Sequence, residues 1–276
     1  MIRLLELFGG IGACSKAFER LGIEHEIVDY VEIDKYAVKS FNAVHRTNFE
    51  PQDITKWNKD IDIDFIMHGS PCQDFSVAGK GKGGDEGSGT RSSLMYETIR
   101  IVNKLKPKYV LWENVKNLLS KKHIHNFRNY ISTMNELGYN SYYQVLNSKN
   151  YGIPQNRERV FTLSIRQDID NGTFIFPKPM KLKLKLKDML ENEVDEKYFL
   201  SDKMINFFYE NEQKQKEKGN GFRFDVTNGD TIAKSITTRA GSRMDDNFIG
   251  RGNTLKIKNN TKQGYLEAQE RRWNLH

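Results

Sequence analysis

Cysteine is scarce in this chain of 276 residues, which contains only Cys14 and Cys72. Two cysteines cannot build a disulfide framework, and none of the six histidines stands at zinc-site spacing from a cysteine. No apolar run approaches the roughly 18 residues of a membrane-spanning helix. The opening residues, MIRLLELFGG, become charged too early for a secretory signal. We therefore expect a cytoplasmic protein without disulfides, metal sites or membrane contact.

Proline is also rare, with 6 residues, whereas 37% of the chain is hydrophobic. This composition is typical of a folded protein and not of a disordered one. Lysine and arginine outnumber aspartate and glutamate, 43 to 36, which gives a formal net charge of +7. Residues 1–170 contain 23 basic and 21 acidic residues, and residues 171–276 contain 20 and 15. A basic C-terminal part is typical of nucleic-acid binding, and an excess of lysine that only maintains solubility is an equal alternative.

Short β-type runs alternate with helical patterns over the first 165 residues. We predict strands over residues 2–7, 25–31, 64–67, 109–112 and 160–165, and helices over residues 13–20, 35–44, 94–105 and 124–137. Such alternation is typical of βαβ units. The predicted fold class is therefore α/β, with a doubly wound, mostly parallel sheet.

The alternation weakens after residues 176–179, which read FPKP, and polar residues then become frequent. We place a boundary there, between a domain over residues 1–176 and a smaller domain over residues 177–276. Residues 181–187 alternate lysine with leucine, which fits a half-exposed strand, and a helix that begins near residues 187–190 is an equal alternative. We interpret the lysines as a solvated face and not as a phosphate site.

The first strand is followed by a glycine turn, FGGIG at residues 8–12, that opens a helix. Open α/β sheets bind ligands at such junctions, and glycine lets a ligand approach the backbone. The dinucleotide fingerprint is incomplete, because Ser15 stands where a third glycine is needed. Glu32 follows at the spacing of an acid that binds ribose hydroxyls. Its alternative role is capping of the next helix, for which Asp34 is better placed. A nucleoside-bearing cofactor is favoured.

Cys72 follows the third strand in the sequence GSPCQDFS and precedes a basic, glycine-rich loop that extends to Gly89. A cysteine beside a rigid proline and ahead of a mobile loop is placed where a nucleophile is useful. Unstructured loops of this length are usually active-site lids. Cys14 lies within a predicted helix, and we interpret it as a small buried residue.

Glu113 follows the fourth strand, where a partly buried carboxyl could hold a proton. Capping of the following helix is the alternative, although Asn114 could provide that cap. Arg157 and Arg159 lead into the last strand of the first part and lie on one side of an extended segment. Arginine forks in such a place suit a phosphate or a carbonyl oxygen, with structural salt bridges as the alternative.

Taken together, these motifs resemble those of the DNA (cytosine-5) methyltransferases. The matching blocks are residues 8–12, 32–34, 53–54, 71–73, 91–94, 113–115 and 155–159. The order and spacing of seven blocks make the resemblance specific. It implies a Rossmann-like fold that uses S-adenosylmethionine (SAM) to methylate cytosine in double-stranded DNA, in restriction-modification or phage DNA protection.

The resemblance also implies roles for individual residues. Cys72 would attack C6 of a flipped-out cytosine, and Glu113 would protonate or hydrogen-bond N3. Arg159 would reach O2 of the base, and Arg157 a phosphate or the catalytic loop. Within the cofactor pocket Glu32 would hold the ribose, while Ile33, Asp53 and Ile54 would contact the adenine. The expected cofactor-binding residues are Phe8, Gly9, Gly10, Ile11, Gly12, Glu32, Ile33, Asp53, Ile54, Pro71 and Leu94. The expected DNA-binding residues are Gln73, Ser76, Lys80, Lys82, Thr237, Thr238 and Arg239.

Two C-terminal segments typical of the resembled family, an Arg-x-Leu segment and a Gly-Asn-Ser segment, are not recognised in the sequence. Residues 231–241 resemble part of a target recognition region, which looks incomplete. We therefore expect a truncated enzyme or one half of a split enzyme completed by a second chain, and otherwise a monomer. An inert nucleic-acid-binding remnant and an RNA cytosine methyltransferase are alternatives. An NAD-dependent oxidoreductase is disfavoured by the incomplete glycine fingerprint.

Overall fold

The chain divides into two compact units, Met1–Leu146 with Glu158–Pro177 and Asn147–Arg157 with Lys178–His276. The computed structural model describes residues 1–71, 94–195, 199–221, 223–236, 246–250 and 263–265. The division into two domains at residue 177 stays a prediction. None of the helices in these ranges combines the length and the apolarity that crossing a bilayer requires.

The described elements alternate strand and helix as far as residue 136 and then consist mainly of strands. In chain order they are β1 (Ile2–Leu7), α1 (Ala13–Arg20), β2 (His25–Val31), α2 (Lys35–His45), β3 (Phe65–His68), α3 (Met95–Leu105), β4 (Tyr109–Val115), α4 (Ile124–Glu136), β5 (Tyr139–Asn147), β6 (Gln155–Asn156), β7 (Glu158–Arg166), β8 (Phe199–Leu200), α5 (Asp202–Glu217), β9 (Val226–Thr227), β10 (Ala233–Lys234), β11 (Phe248–Gly250) and β12 (Gln263–Tyr265).

Six strands of the first unit form one sheet in the order β2-β1-β3-β4-β7-β5. β1 pairs in parallel with β2 and β3, and β3 pairs in parallel with β4. β7 is antiparallel to β4, so its first residues lie beside the last residues of β4. Because β1, β2, β3 and β4 are parallel, the loops that follow them leave the same edge of the sheet, which we call the carboxyl edge. The predicted α/β class with a mostly parallel sheet is confirmed.

Burial explains why the central strands read as apolar runs. Leu4, Leu5 and Leu7 of β1 are fully buried, as are Ile66 of β3 and Val110 of β4. Strands covered on both faces by helices need apolar side chains at nearly every position. The helices contribute one apolar face each, and the main cluster gathers side chains from β1, β3, β4, α3 and α4.

Three predictions about secondary structure need correction. β4 continues to Val115, three residues beyond the predicted end, so Glu113 lies within the strand and not after it. β5 was not predicted. Of the two alternatives for this region, the strand over residues 181–187 is wrong, and the helix that begins near residues 187–190 is observed as a short 3-10 helix over Leu186–Met189. There the Nζ atoms of Lys185 and Lys187 lie 3.0 and 2.7 Å from Asp230 Oδ1, while Leu186 is buried.

The second unit contains its own sheet, with the order β8-β12-β11-β9. Its core consists of Ile205 and Phe208 from α5 together with Phe224 and Phe248. α5 begins after Ser201, whose side chain accepts a hydrogen bond from the backbone N–H of Met204 at 3.3 Å. Serine is a preferred residue at this capping position because it satisfies a free N–H group of the first turn.

Asp29 of β2 ties the segment after α2 to the edge of the main sheet. This residue is 3% exposed, and its carboxylate accepts hydrogen bonds from Trp57 Nε1 and Gln52 Nε2, both at 2.8 Å. Lys59 Nζ also lies 2.8 Å from it. Burial by itself would raise the pKa of Asp29, but the hydrogen bonds outweigh this and lower it.

Asp29→Asn should lower the free energy of unfolding by about 2 to 3 kcal/mol at neutral pH, because a charged acceptor of several hydrogen bonds is lost. Denaturant titration measures this difference. Because the folded pKa lies below the unfolded value of 3.8, the difference should be complete above that pH and should shrink as the pH falls through the folded value. As a control, Asp62→Asn removes a carboxylate that is 91% exposed and should change stability little. An equal loss in both variants would contradict the account.

Glu6 places a carboxyl group in the core beneath α1. It is 1% exposed, and its Oε1 accepts hydrogen bonds from the backbone N–H of Ser15, at 2.9 Å, and from the Ser15 hydroxyl. Burial raises the pKa of Glu6 to about 7, although the bonds from Ser15 oppose the increase. The carboxyl group therefore anchors the first turn of α1, and its burial brings its pKa close to neutral pH.

Glu6→Gln should remove a pH dependence of stability. A raised folded pKa means that native protein loses stability as the pH rises from the unfolded value of 4.5 to about 7, since only the unfolded chain releases the proton in that range. The stability of the variant relative to native protein should increase by about 3 kcal/mol across this interval and stay constant above it. Unfolding curves at half-unit pH steps test this, and parallel profiles for the two proteins would contradict it.

Candidate active site

The glycine turn at residues 8–12 leaves β1 in an unusual conformation. Phe8, Gly10 and Gly12 have φ angles of 53°, 55° and 79°. A positive φ in a bulky residue such as Phe8 is unfavourable and is concentrated at functional sites. The backbone N–H of Phe8 donates to the carbonyl of Val31 at 2.7 Å, which fixes the turn against the end of β2.

Glu32 lies beside this turn at the carboxyl edge. Its Oε2 accepts a hydrogen bond from the Gly10 N–H at 3.3 Å, and its Oε1 accepts bonds from the N–H groups of Ile33 and Asp34. Asp34 caps α2 by accepting from the N–H of Tyr36 at 2.8 Å. The interpretation that Asp34, and not Glu32, caps the helix is therefore confirmed.

The surroundings of Glu32 fit a nucleoside-bearing group. A Cβ atom built on Gly10 would meet no other atom within 4 Å, so the turn faces open space. Ile33 is 68% exposed and offers an apolar surface to a planar base. Carboxylate oxygens are suitable acceptors for ribose hydroxyls. An accessible backbone, a carboxylate and an apolar side chain are thus combined at one place.

The segment that contains Asp53 and Ile54 adjoins Glu32 through the hydrogen bond from the Gln52 N–H to the Glu32 carbonyl, at 2.8 Å. Asp53 Oδ1 accepts hydrogen bonds from the hydroxyl and the N–H of Thr55, which lower the pKa of Asp53. Ile54 is 5% exposed and belongs to the main core. The Ile54 side chain is therefore not available to a ligand, whereas the adjoining Asp53 is half-buried.

A second polar group at the carboxyl edge joins β4 to β7. Arg159 Nε lies 3.0 Å from Glu113 Oε1, and the two side chains are 19% and 24% exposed. The antiparallel register explains the pairing, since Arg159 is opposite Val115 at the end of β4. The guanidinium also donates to the Glu158 carbonyl at 2.8 Å. An acid and a cation are thus held together in a partly buried position.

The end of the β3 segment is bound to β4 by two hydrogen bonds that were not predicted. Trp112 Nε1 donates to Ser70 Oγ at 3.0 Å, and Asn114 Nδ2 donates to the Ser70 carbonyl at 3.2 Å. The 3-10 helix that follows, over Lys116–Leu119, begins after Val115 without a side-chain cap, so Asn114 does not cap it. Pro71 and Leu94 flank the residues that are not described, and both are half-buried.

Eight of the predicted site residues lie outside the described residues: Cys72, Gln73, Ser76, Lys80, Lys82, Thr237, Thr238 and Arg239. Arg157 belongs to the second unit, where its backbone N–H donates to Asn147 Oδ1 at 3.1 Å, whereas Arg159 belongs to the first unit. Cys14 is buried within α1, as predicted, and burial raises the pKa of its thiol.

Two side chains that sequence reasoning missed also contact the glycine turn. Tyr30 binds the carbonyl of Gly10, and His45 lies against the carbonyl of Ile11. They are separated from their partners by 20 and 34 residues, and no local pattern marks them. Only the pairing of β2 with β1 and the packing of α2 bring them to the turn.

Comparisons with known proteins agree on one family. A model of the C-5 cytosine-specific DNA methylases matches residues 2–274. The type II methyltransferase M2.ScrFI of Lactococcus lactis subsp. cremoris is 33% identical over 261 residues, which cover 75% of this chain and 72% of the relative. The type II methyltransferase M.HhaI of Haemophilus parahaemolyticus is 39% identical over 207 residues, with coverages of 73% and 61%.

The chain spans about half to three quarters of the length of the curated relatives that it matches. Among solved structures, the S. pombe Dnmt2 methyltransferase superposes with a TM-score of 0.69 at 20% identity, covering 92% of this chain and 77% of the other. That likeness supports the fold. On the match to the family model and on the identity to these relatives, the chain belongs to the C-5 cytosine-specific DNA methylase family.

Proposed function

We propose that this chain transfers a methyl group from SAM to C5 of a cytosine in double-stranded DNA, within restriction-modification or phage DNA protection. Family membership supports the reaction class. The single structural observation that carries the proposal is the Glu113–Arg159 pair, which lies at the same edge of the sheet as the glycine turn and Glu32. Such an edge offers a base-recognition group and a cofactor pocket to one ligand cleft.

The cofactor role is proposed for the turn, Glu32 and Ile33. When bound, SAM supplies an electrophilic methyl group on its sulfonium. Glu32 Oε2 accepts one long hydrogen bond, from Gly10, and retains a lone pair for a ribose hydroxyl. Ile33 would pack on the adenine, and Asp53 would hydrogen-bond its edge.

The chemistry at the cytosine is proposed for Cys72, Glu113 and Arg159. C5 of cytosine is a poor nucleophile, but addition of the Cys72 thiolate to C6 makes C5 electron-rich. Glu113 would donate a proton or hydrogen bond to N3, and Arg159 would bind O2, so that the negative charge created by the addition is stabilised. Once C5 carries the methyl group, its proton would pass to water, the C5–H electron pair would re-form the C5=C6 bond, and the Sγ–C6 electron pair would return to Cys72 as the thiolate, while N3 returns its proton to Glu113.

The pairing with Arg159 positions Glu113 for this task, and Glu113 must take up a proton before it can donate one to N3. Both side chains are mostly buried, so their hydrogen bonds act in a medium of low dielectric constant. The guanidinium also fixes the carboxyl group before any substrate arrives. The target base is stacked within a duplex, and it must be flipped out at a cost of a few kcal/mol before these groups can reach it.

Cys72→Ala should abolish covalent capture of the substrate. DNA that contains 5-fluorocytosine should form an adduct with the native chain and SAM that survives denaturation, because fluorine cannot leave C5 as a proton does. Electrophoresis under denaturing conditions detects the adduct. Cys14→Ala is the matched control and should form adduct as the native chain does, because Cys14 is buried in α1.

The other possible results of the 5-fluorocytosine experiment distinguish the alternative functions. An adduct with Cys72→Ala would disprove the assignment of the nucleophile. Capture of the corresponding RNA, but not DNA, would replace the proposed substrate by an RNA cytosine. A native chain that binds SAM and DNA without any adduct would support the inert nucleic-acid-binding alternative.

Glu32→Ala should weaken SAM binding about 10- to 100-fold, because hydrogen bonds to a charged acceptor contribute roughly 1.5 to 3 kcal/mol. Isothermal calorimetry with SAM measures the dissociation constant. Glu26→Ala, which changes an exposed glutamate of β2, the strand that precedes Glu32, serves as the control and should bind SAM normally. Unchanged SAM affinity in Glu32→Ala would refute the ribose role.

A further inference from the structure

Two side chains from outside the glycine turn hold its carbonyl groups. Tyr30 Oη of β2 donates a hydrogen bond to the Gly10 carbonyl at 2.6 Å. His45 Nε2 of α2 lies 3.1 Å from the carbonyl oxygen of Ile11. Neither Tyr30 nor His45 belongs to the sequence blocks that carry the family resemblance.

Packing fixes the position of the Tyr30 ring. The residue is fully buried, and its ring stacks on Phe41 with a centroid separation of 3.8 Å. On the other side, a Cβ atom at Gly9 would lie 2.8 Å from the ring atom Cε2. The ring therefore lies directly against the turn, and burial raises the pKa of the Tyr30 hydroxyl so that it remains a donor.

Two hydrogen bonds from outside the turn restrain the conformation of Gly10. Nothing would touch a Cβ at this position, and glycine by itself populates a wide range of φ and ψ. The N–H of Gly10 is bound by Glu32 at 3.3 Å and its carbonyl by Tyr30 at 2.6 Å. Since each peptide unit is planar, these two bonds orient both peptides that flank the Gly10 Cα atom.

His45 extends the same restraint by one residue. Its ring lies 4.5 Å from the ring of Phe41, centroid to centroid, and faces the backbone of the turn. A Cβ atom at Gly12 would overlap both rings. Tyr30, Phe41 and His45 thus form one aromatic cluster that packs against the turn at Gly9 and Gly12.

We propose that Tyr30 and His45 are positioning residues of the cofactor site, which hold the turn so that Gly10 faces the ligand and Glu32 is directed to the ribose. This inference rests on the proposed function, because it presumes that the ligand of the turn is SAM. The two residues act through the backbone and do not touch the reacting atoms.

The test compares Tyr30→Phe with Tyr139→Phe. Tyr139 is an equally buried tyrosine whose hydroxyl donates to the Pro107 carbonyl at 2.6 Å, but it lies on β5, at the opposite edge of the sheet from β2. Both variants lose one hydrogen bond to a carbonyl and should lose comparable thermal stability. Only Tyr30→Phe should weaken SAM binding, by about three- to tenfold, as measured by calorimetry on the full chain.

The outcomes separate this inference from the proposed function. If the native chain binds SAM and Tyr30→Phe binds it equally well, Tyr30 is merely structural and the inference is overturned. Equal weakening by Tyr139→Phe would overturn it too, because the effect would then follow from stability. A native chain that does not bind SAM would overturn the proposed function itself, and the inference with it.

A second test uses two histidines that are only partly buried, His45 and His25. His45→Ala removes the contact with the Ile11 carbonyl, and His25→Ala removes a matched contact, in which His25 Nδ1 lies 2.9 Å from the Ile23 carbonyl. Each histidine also packs on one phenylalanine, Phe41 or Phe18. His45→Ala should weaken SAM binding about threefold and His25→Ala should not. Equal affinities in the two variants would remove His45 from the proposal.

Discussion

The parallel pairing of β1 with both β2 and β3 is the constraint on which the candidate site depends. It brings the turn after β1, the acid after β2 and the segment after β3 to a single edge of the sheet. The antiparallel strand β7 completes this edge, because only that direction places Arg159 beside the end of β4 and within reach of Glu113. A parallel β7 would present its other end there.

Two buried carboxyl groups anchor the segments that adjoin this edge. Glu6 anchors the first turn of α1 from within β1, and Asp29 anchors the segment that leads to Asp53 from within β2. Both carboxyl groups are removed from water, but only Asp29 receives hydrogen bonds from several residues, which is the condition under which burial of a charge is tolerated. For Asp29 the hydrogen bonds prevail over the burial, whereas for Glu6 the burial prevails, and the pKa values move in opposite directions.

The glycine turn shows how a flexible sequence is made rigid. Phe8 adopts a left-handed conformation that costs free energy, and Gly10 has no steric neighbour to restrict it. Their conformation persists because the turn is bound from outside, by Val31, Glu32, Tyr30 and His45. A pocket prepared in this way loses less conformational entropy when a ligand binds.

The sequence alone determined the alternation of strands and helices, since hydrophobic period and glycine positions are local signals, and β1, α1 and β2 have the predicted bounds. It also marked Glu32, Glu113 and Arg159 as candidates, because acids and arginines near the ends of the strands occur in a recognisable order. Tertiary structure alone decided that Ile54 is buried in the core, that Asn114 binds Ser70, and that Tyr30 and His45 hold the turn. These contacts join residues that are distant along the chain, and their partners are selected by strand register and helix packing, which no local pattern encodes.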